Sequence, residues 1–293
     1  MADQRDGGIS WTDETWNPVR GCSRVSLGCG GPHGQGGCYA ERLAIRFSGP
    51  GQPYEGLVKS TPNGPRWTGK MILVEPALDL PLRWKRPRRI FTNSMSDLFH
   101  ENLPFESIDA VFAVMDRAQQ HTFQVLTKRP ARMLEYCSQI NGRPLANVWL
   151  GVSVEDQATA DERIPLLLRT PAALRFVSYE PALGVVNFSK WLRMKGHTRE
   201  LCPMCGIDLV ICGGESGPHA RPCEIAWLRS SIAQCRATNT AIFVKQVGAS
   251  PVWGDETSSL GRALREGGYQ LKDRAGADPS EWPEDLRVRE FPI

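Results

Sequence analysis

Asn147-Val148-Trp149-Leu150-Gly151-Val152-Ser153-Val154-Glu155 is the stretch that decides the fold class. Its apolar residues fall on both alternating faces and it stops at a carboxylate. That is the pattern of a strand covered on both sides in a parallel sheet. The run that follows, Gln157–Leu168, has helical spacing, and so has the run before it, Ala131–Cys137. The alternation repeats outward in both directions. Upstream, Phe123–Thr127 reads as a strand ending at Lys128-Arg129-Pro130. Phe105–Gln119 is a helix with Ile108, Val111, Phe112 and Met115 on one face. Arg89–Ser94 is a strand that runs into the polar loop Met95–His100. Downstream come a strand at Leu174–Ser178, a strand at Asp208–Cys212, a helix at Glu224–Thr238 and a strand at Ala241–Lys245. Near the start, Gly8–Trp11 reads as a first strand, Thr12–Pro18 as turn-rich loop and Glu75–Trp84 as a helix. Six or seven strands alternating with helices predict an α/β fold with a parallel sheet. One domain over residues 1–248, with an insertion near 185–207 and an extension over 249–293, is the expected organisation.

The strand ends narrow the choice between a barrel and an open sheet. Nearly every strand finishes in polar residues. These are Asn93, Ser94, Ser96 and Asp97, then Thr127 and Lys128, then Ser153 and Glu155. Ser178, Tyr179 and Glu180 follow, then Glu215 and Ser216, then Lys245 and Gln246. In parallel α/β folds, ligands bind at the carboxyl ends of the strands. One polar loop is ordinary solvation. The whole set at one side of the sheet points to a site, and its convergence suits a barrel mouth. Gly213-Gly214-Glu215-Ser216-Gly217 has the composition of an anion cradle before the helix from Glu224. It lacks the lysine of a P-loop and the spacing of a dinucleotide fingerprint, and a tight turn explains it equally. Phosphate binding there by a metal-free barrel enzyme is one possible function.

The chemistry concentrates in residues 21–42, where Cys22, Cys29 and Cys38 share a loop with seven glycines. Such a loop is costly to fix, so something must hold it. A zinc site takes four ligands and an iron–sulfur cube has four corners. Three cysteines leave one corner open unless His33 fills it. Cys38 starts a helical run with Ala40, Leu43, Ala44 and Phe47 on one face, where the helix dipole favours a thiolate. A Cys22, Cys29, His33, Cys38 zinc site in a nucleic-acid-binding or structural protein is the rival reading. Cys202-Pro203-Met204-Cys205 resembles half a zinc ribbon, with His197 or Cys223 to complete it. Cys137 and Cys235 lie on helical patterns and fit core positions. Cys212 ends a strand just before the glycines, where it either packs in the core or faces the site as a thiol hydrogen donor.

Composition bounds these readings. Of 293 residues, 41% are hydrophobic and 23% charged, ordinary for a globular chain whose core needs no staple. A net charge of +3 does not by itself argue for nucleic acid. The run Arg83–Arg89 interleaves Trp84 with cations and suits either phosphate contact or a solvated face. No apolar run reaches membrane-spanning length and the first residues lack a signal-peptide core, so a cytosolic protein is expected. Nine cysteines in that compartment imply metal, cluster or free thiols rather than disulfides. Oligomeric state is not set by the sequence.

Trp11–Pro18, Gly21-Cys22, Gly28-Cys29, Cys38–Arg42, Thr92–His100, Phe123–Pro130, Trp149–Glu155 and Gly213–Gly217 together resemble the three-cysteine-motif proteins of phages and bacteria. That family is carried as a phage protein of unknown function, and the likeness runs through Gly248. The family in turn resembles the radical S-adenosylmethionine enzymes, most of all the spore photoproduct lyase branch. The resemblance implies a partial (β/α) barrel of six to seven parallel strands and a [4Fe–4S] cluster on Cys22, Cys29 and Cys38. S-adenosylmethionine would chelate the fourth iron and yield a 5′-deoxyadenosyl radical. Asn93, Ser94 and Ser96 would meet its amino group, Lys128 its carboxylate, and Ser153 and Glu155 its carboxylate or ribose. Glu215 would lie across the mouth, towards adenine or substrate; with Cys212, read from its place at a strand end, it is the catalytic candidate. The implied partners are a nucleic acid base or nucleotide as substrate, in DNA repair or modification, and a reducing electron donor. The cysteine gaps depart from the common pattern of three and two residues, being six and eight here, with Gly37 before Cys38.

Overall fold

The computed structural model describes residues 9–139, 144–192, 206–254 and 271–292, with His33 by its backbone only. Seven strands hydrogen-bond in sequence order into one sheet: β1 Glu14–Trp16, β2 Arg89–Thr92, β3 Thr122–Thr127, β4 Val148–Val154, β5 Leu174–Tyr179, β6 Leu209–Gly213 and β7 Ala241–Gln246. The sheet is parallel, and the architecture is the expected partial (β/α) barrel. Helix α1, Tyr39–Ala44, follows the cysteine loop. α2 Phe105–Arg117, α3 Pro130–Gln139, α4 Gln157–Arg169 and α5 Ile225–Thr238 follow β2, β3, β4 and β6. None of the described helices is long and apolar enough to cross a membrane.

The chain divides into two compact units. The first comprises residues 1–26, 38–152 and 165–175. Its register aligns Ile90, Phe123 and Val148 across β2, β3 and β4, and one step on aligns Phe91, Gln124 and Trp149. These two rows lie on opposite faces because strand side chains alternate. α2 buries Ile108, Val111, Val114 and Met115, and α3 buries Met133, Tyr136 and Cys137. Each such large apolar side chain contributes about 1.5–3 kcal/mol. A satellite core of Ala40, Ala44, Tyr54, Leu57, Val58, Trp67 and Met95 lies under α1, and Cys22 and Cys38 both pack against it.

The second unit comprises residues 27–37, 153–164 and 176–293. α5 buries Ile225, Leu228, Ile232 and Cys235 at helical spacing. Residues beyond Leu286 run antiparallel along the outer side of β7: Val244 donates to Val288 O at 2.8 Å and Glu290 to Ile242 O at 2.9 Å.

Two expected elements differ. The first strand is Glu14–Trp16, inside the stretch expected to be loop, and the Ile9–Trp11 segment is not a strand. Trp11 instead packs its ring 4.7 Å from that of Phe91. The expected Glu75–Trp84 helix is two short ones, Glu75–Leu78 and Leu80–Arg83, broken at Asp79. Pro76 and Pro81 fit only the first turn of a helix, so each starts its own. Cys202, Cys205 and His197, with most of the expected insertion, lie outside the described residues.

Candidate functional site

In the first unit, the chain beside Cys22 is held by a partly buried arginine, Arg129. Asp97 follows β2 and accepts from Thr127 Oγ1 at 2.7 Å, Phe99 N at 3.0 Å and Lys128 N at 3.1 Å. It also pairs with Arg129 at 3.0 Å. Arg129 reaches Glu101 at 2.6 Å and donates to Ser23 at both its carbonyl (3.2 Å) and hydroxyl (2.7 Å). Burial works against the charge on Arg129. The negative charges of Asp97 and Glu101, with the Glu101 hydrogen bond, outweigh it and raise its pKa. Burial also opposes ionisation of Glu101, but the Arg129 hydrogen bond brings it down to about 2.

His100 is fully buried. Its Nδ1 accepts from Asn102 N at 3.0 Å, which assigns the proton to Nε2, 2.9 Å from Ser23 Oγ. Burial, then the Arg129 charge, push its pKa down, so the ring is neutral. Cys38 caps the start of α1, and the next residue, Tyr39, donates its hydroxyl to Ser94 O. Asn17 Oδ1 accepts from Ser94 Oγ at 3.1 Å and Met95 N at 3.0 Å.

In the second unit, two carboxylates meet the loop that carries Cys29. Glu215 follows β6 and accepts from Gly37 N at 3.0 Å and from Arg221 N, Nε and Nη2 at 3.0, 3.0 and 2.9 Å. Arg221 extends to Leu27 O at 2.8 Å. Burial would raise the Glu215 carboxyl, but the Arg221 and Gly37 hydrogen bonds hold it below the usual value. Gly36 sits at φ +60°, and a Cβ there would stand 2.4 Å from both Glu215 oxygens. On the other side, a Cβ on Gly28 would stand 2.2 Å from Glu155 Oε1. Glu155 follows β4, is 1% exposed and pairs with Arg163 at 3.2 Å, which also donates to Ser153 O at 2.7 Å.

A family model described as a protein of unknown function, DUF5131, matches residues 6–273. The chain belongs to the DUF5131 family. No curated protein and no solved structure matches it.

The residues read from this DUF5131 sequence as cofactor contacts divide by what holds them. Ser94 Oγ is bonded to Asn17, and Ser96 Oγ donates to Val19 O at 2.9 Å. Ser153 and Glu155 engage Arg163, and Lys128 N is bonded to Asp97. Asn93 differs. It is 3% exposed, adopts φ +65°, and neither polar atom of its side chain has a partner among the described residues. A buried, unpaired amide costs about 1–3 kcal/mol and calls for an explanation.

The thiols also sort into two groups. Cys22, Cys29 and Cys38 are in no disulfide and are partly exposed. Cys137, Cys223 and Cys235 are buried, and burial pushes each up to about 12. Cys212 is fully buried near Cys235 and Cys223, with its thiol pushed well up by burial. Thiols are the donor type an iron–sulfur cluster takes, and an orphaned buried amide is one a polar ligand would satisfy. Among the described residues no three His, Cys, Asp or Glu side chains gather as a metal-holding group. Around Gly213–Gly217, Gly214 N donates to Gln246 O and Glu215 O accepts from Ala249 N.

Sequence reasoning did not single out Arg129, Arg163, Arg221 and Asn17 as site residues. The available signal was an arginine within eight residues of each strand-end carboxylate, Glu155 and Glu215.

Proposed function

We propose that this DUF5131 protein is a radical S-adenosylmethionine enzyme acting on a nucleic acid base or nucleotide, with Cys22, Cys29 and Cys38 as the ligands of a [4Fe–4S] cluster. One observation carries the reading: each cysteine's segment is met by a residue that follows a strand of the parallel sheet. Arg129, after β3, holds Ser23 beside Cys22. Ser94, after β2, holds Tyr39 beside Cys38. Glu155, after β4, and Glu215, after β6, abut Gly28 and Gly37 around Cys29. The strand ends are where parallel α/β folds bind ligands. When bound, the cluster with S-adenosylmethionine supplies one-electron reductive cleavage of a sulfonium. The chain's own residues orient and shelter. Arg129 and Asp97 fix the backbone next to Cys22, and Glu215 with Arg221 fixes the backbone next to Cys38. The Asn93 amide offers one donor and one acceptor face to a polar ligand.

Anaerobic purification followed by iron, sulfide and zinc analysis tests the reading. About four iron and four sulfide per chain are expected, falling on Cys22→Ala. Dithionite with S-adenosylmethionine should then release 5′-deoxyadenosine. One tight zinc without iron overturns the proposal, as does a full, reducible cluster that never yields that product.

A further inference from the structure

Helix α1 and the turn that prolongs it, Ile45–Phe47, present an apolar stripe to solvent. Tyr39, Leu43 and Phe47, four residues apart, are 49%, 41% and 47% exposed, and Val25 is 46% exposed. Among the described residues only Leu27 and Val185 are large hydrophobics comparably exposed. The inward side of the helix is already taken by Ala40, Glu41 and Ala44, so the outward stripe is surplus to folding.

Its charge is one-sided. Arg42 and Arg46 interleave with the stripe at helical spacing. The one acid of α1, Glu41, is 1% exposed, and its carboxylate is taken by Arg24 at 2.6 Å and Trp67 N at 3.0 Å. Across residues 20–70, seven Lys and Arg stand against two Glu, a net charge of +5 where the whole chain carries +3. The Tyr39 ring is half exposed yet pinned at its hydroxyl by Ser94 O. A pinned ring loses little freedom when something stacks on it.

Two aromatic rings about 12 Å apart along a helix, interleaved with arginines, match unpaired bases and their phosphates. An apolar protein face would match the stripe and leave Arg46 unanswered. A duplex would answer Arg46 and offer the rings no base faces.

We propose that the Tyr39–Phe47 face binds single-stranded nucleic acid, with Tyr39 and Phe47 stacking on bases and Arg46 meeting phosphate. This deepens the reading above, on which its link to chemistry rests, by naming the form of the strand and where it lies. The test is fluorescence anisotropy with a labelled 20-nucleotide oligo-dT, without reductant or S-adenosylmethionine, on protein whose iron, sulfide and zinc have been measured. Binding should weaken with salt, at a slope of roughly 0.7 per phosphate contact. Phe47→Ala should weaken it about 5-fold or more, and Arg46→Ala should reduce the slope by about one contact. Both residues are exposed, and circular dichroism verifies that the variants fold. No binding by the parent protein, or two variants that bind like it, overturns the proposal. So does equal competition by a poly-glutamate peptide, which would assign the face to an acidic protein, or by a duplex of equal length. Binding lost from iron-loaded protein sinks this surface alone. Binding retained by a zinc protein sinks the radical chemistry alone.

Discussion

Gly36→Ala should unfasten the Cys29 loop. The new Cβ would lie 2.4 Å from both Glu215 oxygens and 2.7 Å from Arg221 Nε. No rotamer of alanine relieves this, because the contact comes from the Cβ itself. The carboxylate has to leave, taking with it its bond to Gly37 N and its fork to Arg221. A hydrogen bond to a charged group is worth about 1.5–3 kcal/mol. Holding alanine at φ +60° adds about 1 kcal/mol. The local loss is therefore about 2.5–4 kcal/mol, and each 1.4 kcal/mol is a factor of ten. Hydrogen–deuterium exchange reads this directly, since the Gly37 amide is itself the donor. Its exchange should accelerate on the order of 100-fold or more, while amides in β2 and β3 keep their protection. Glu215→Gln keeps the shape and removes the charge, and should accelerate the same amide by about tenfold. If Gly37 exchanges at the parent rate in both variants, the clamp does not hold the loop and the reasoning is wrong.

Arg129→Ala strands Asp97, which is 8% exposed. It should cost about 3–5 kcal/mol in urea unfolding, and Arg129→Lys should recover little because lysine lacks the fork; a loss under about 1 kcal/mol would contradict the buried network. His100 has a lowered folded pKa, so the unfolded chain takes up the proton first. Its contribution is complete above pH of about 6.5 and shrinks as pH falls below it. His100→Gln should flatten that slope in melting temperature between pH 7 and 5, and an unchanged slope would point to another group. Gly28→Ala forces Glu155 away from its place against the loop and should cost about 1–3 kcal/mol, visible as a lower melting temperature; an unaltered one would mean that the loop yields freely.

The fold was legible because β3, β4 and β6 carry the two-faced apolar pattern and stop at polar residues. The departures have local causes. Glu14–Trp16 is too short and polar to announce a strand, and its place comes from pairing with Ile90–Thr92. The Glu75–Trp84 helix was a periodicity that its own prolines interrupt. At the candidate site, the sequence drew attention to the cysteines and to Glu155 and Glu215 but not to what those carboxylates touch. Spacing shows that Glu215 follows β6. It does not show that the carboxylate is spent on Arg221 and Gly37, a contact spanning 178 residues of chain. The significance of Asn93 was likewise invisible, because an unpaired amide is a property of its surroundings.

The antiparallel run beyond Leu286 lies along β7, the last strand in the sheet order. An uncovered terminal strand offers a row of free peptide groups to any other extended chain, which makes it a seed for aggregation. Val288 and Glu290 occupy the Val244 and Ile242 positions in that row. Residues 287–292 therefore cover the sheet's own margin, and deleting them would leave β7 open to pairing with a strand of a neighbouring molecule.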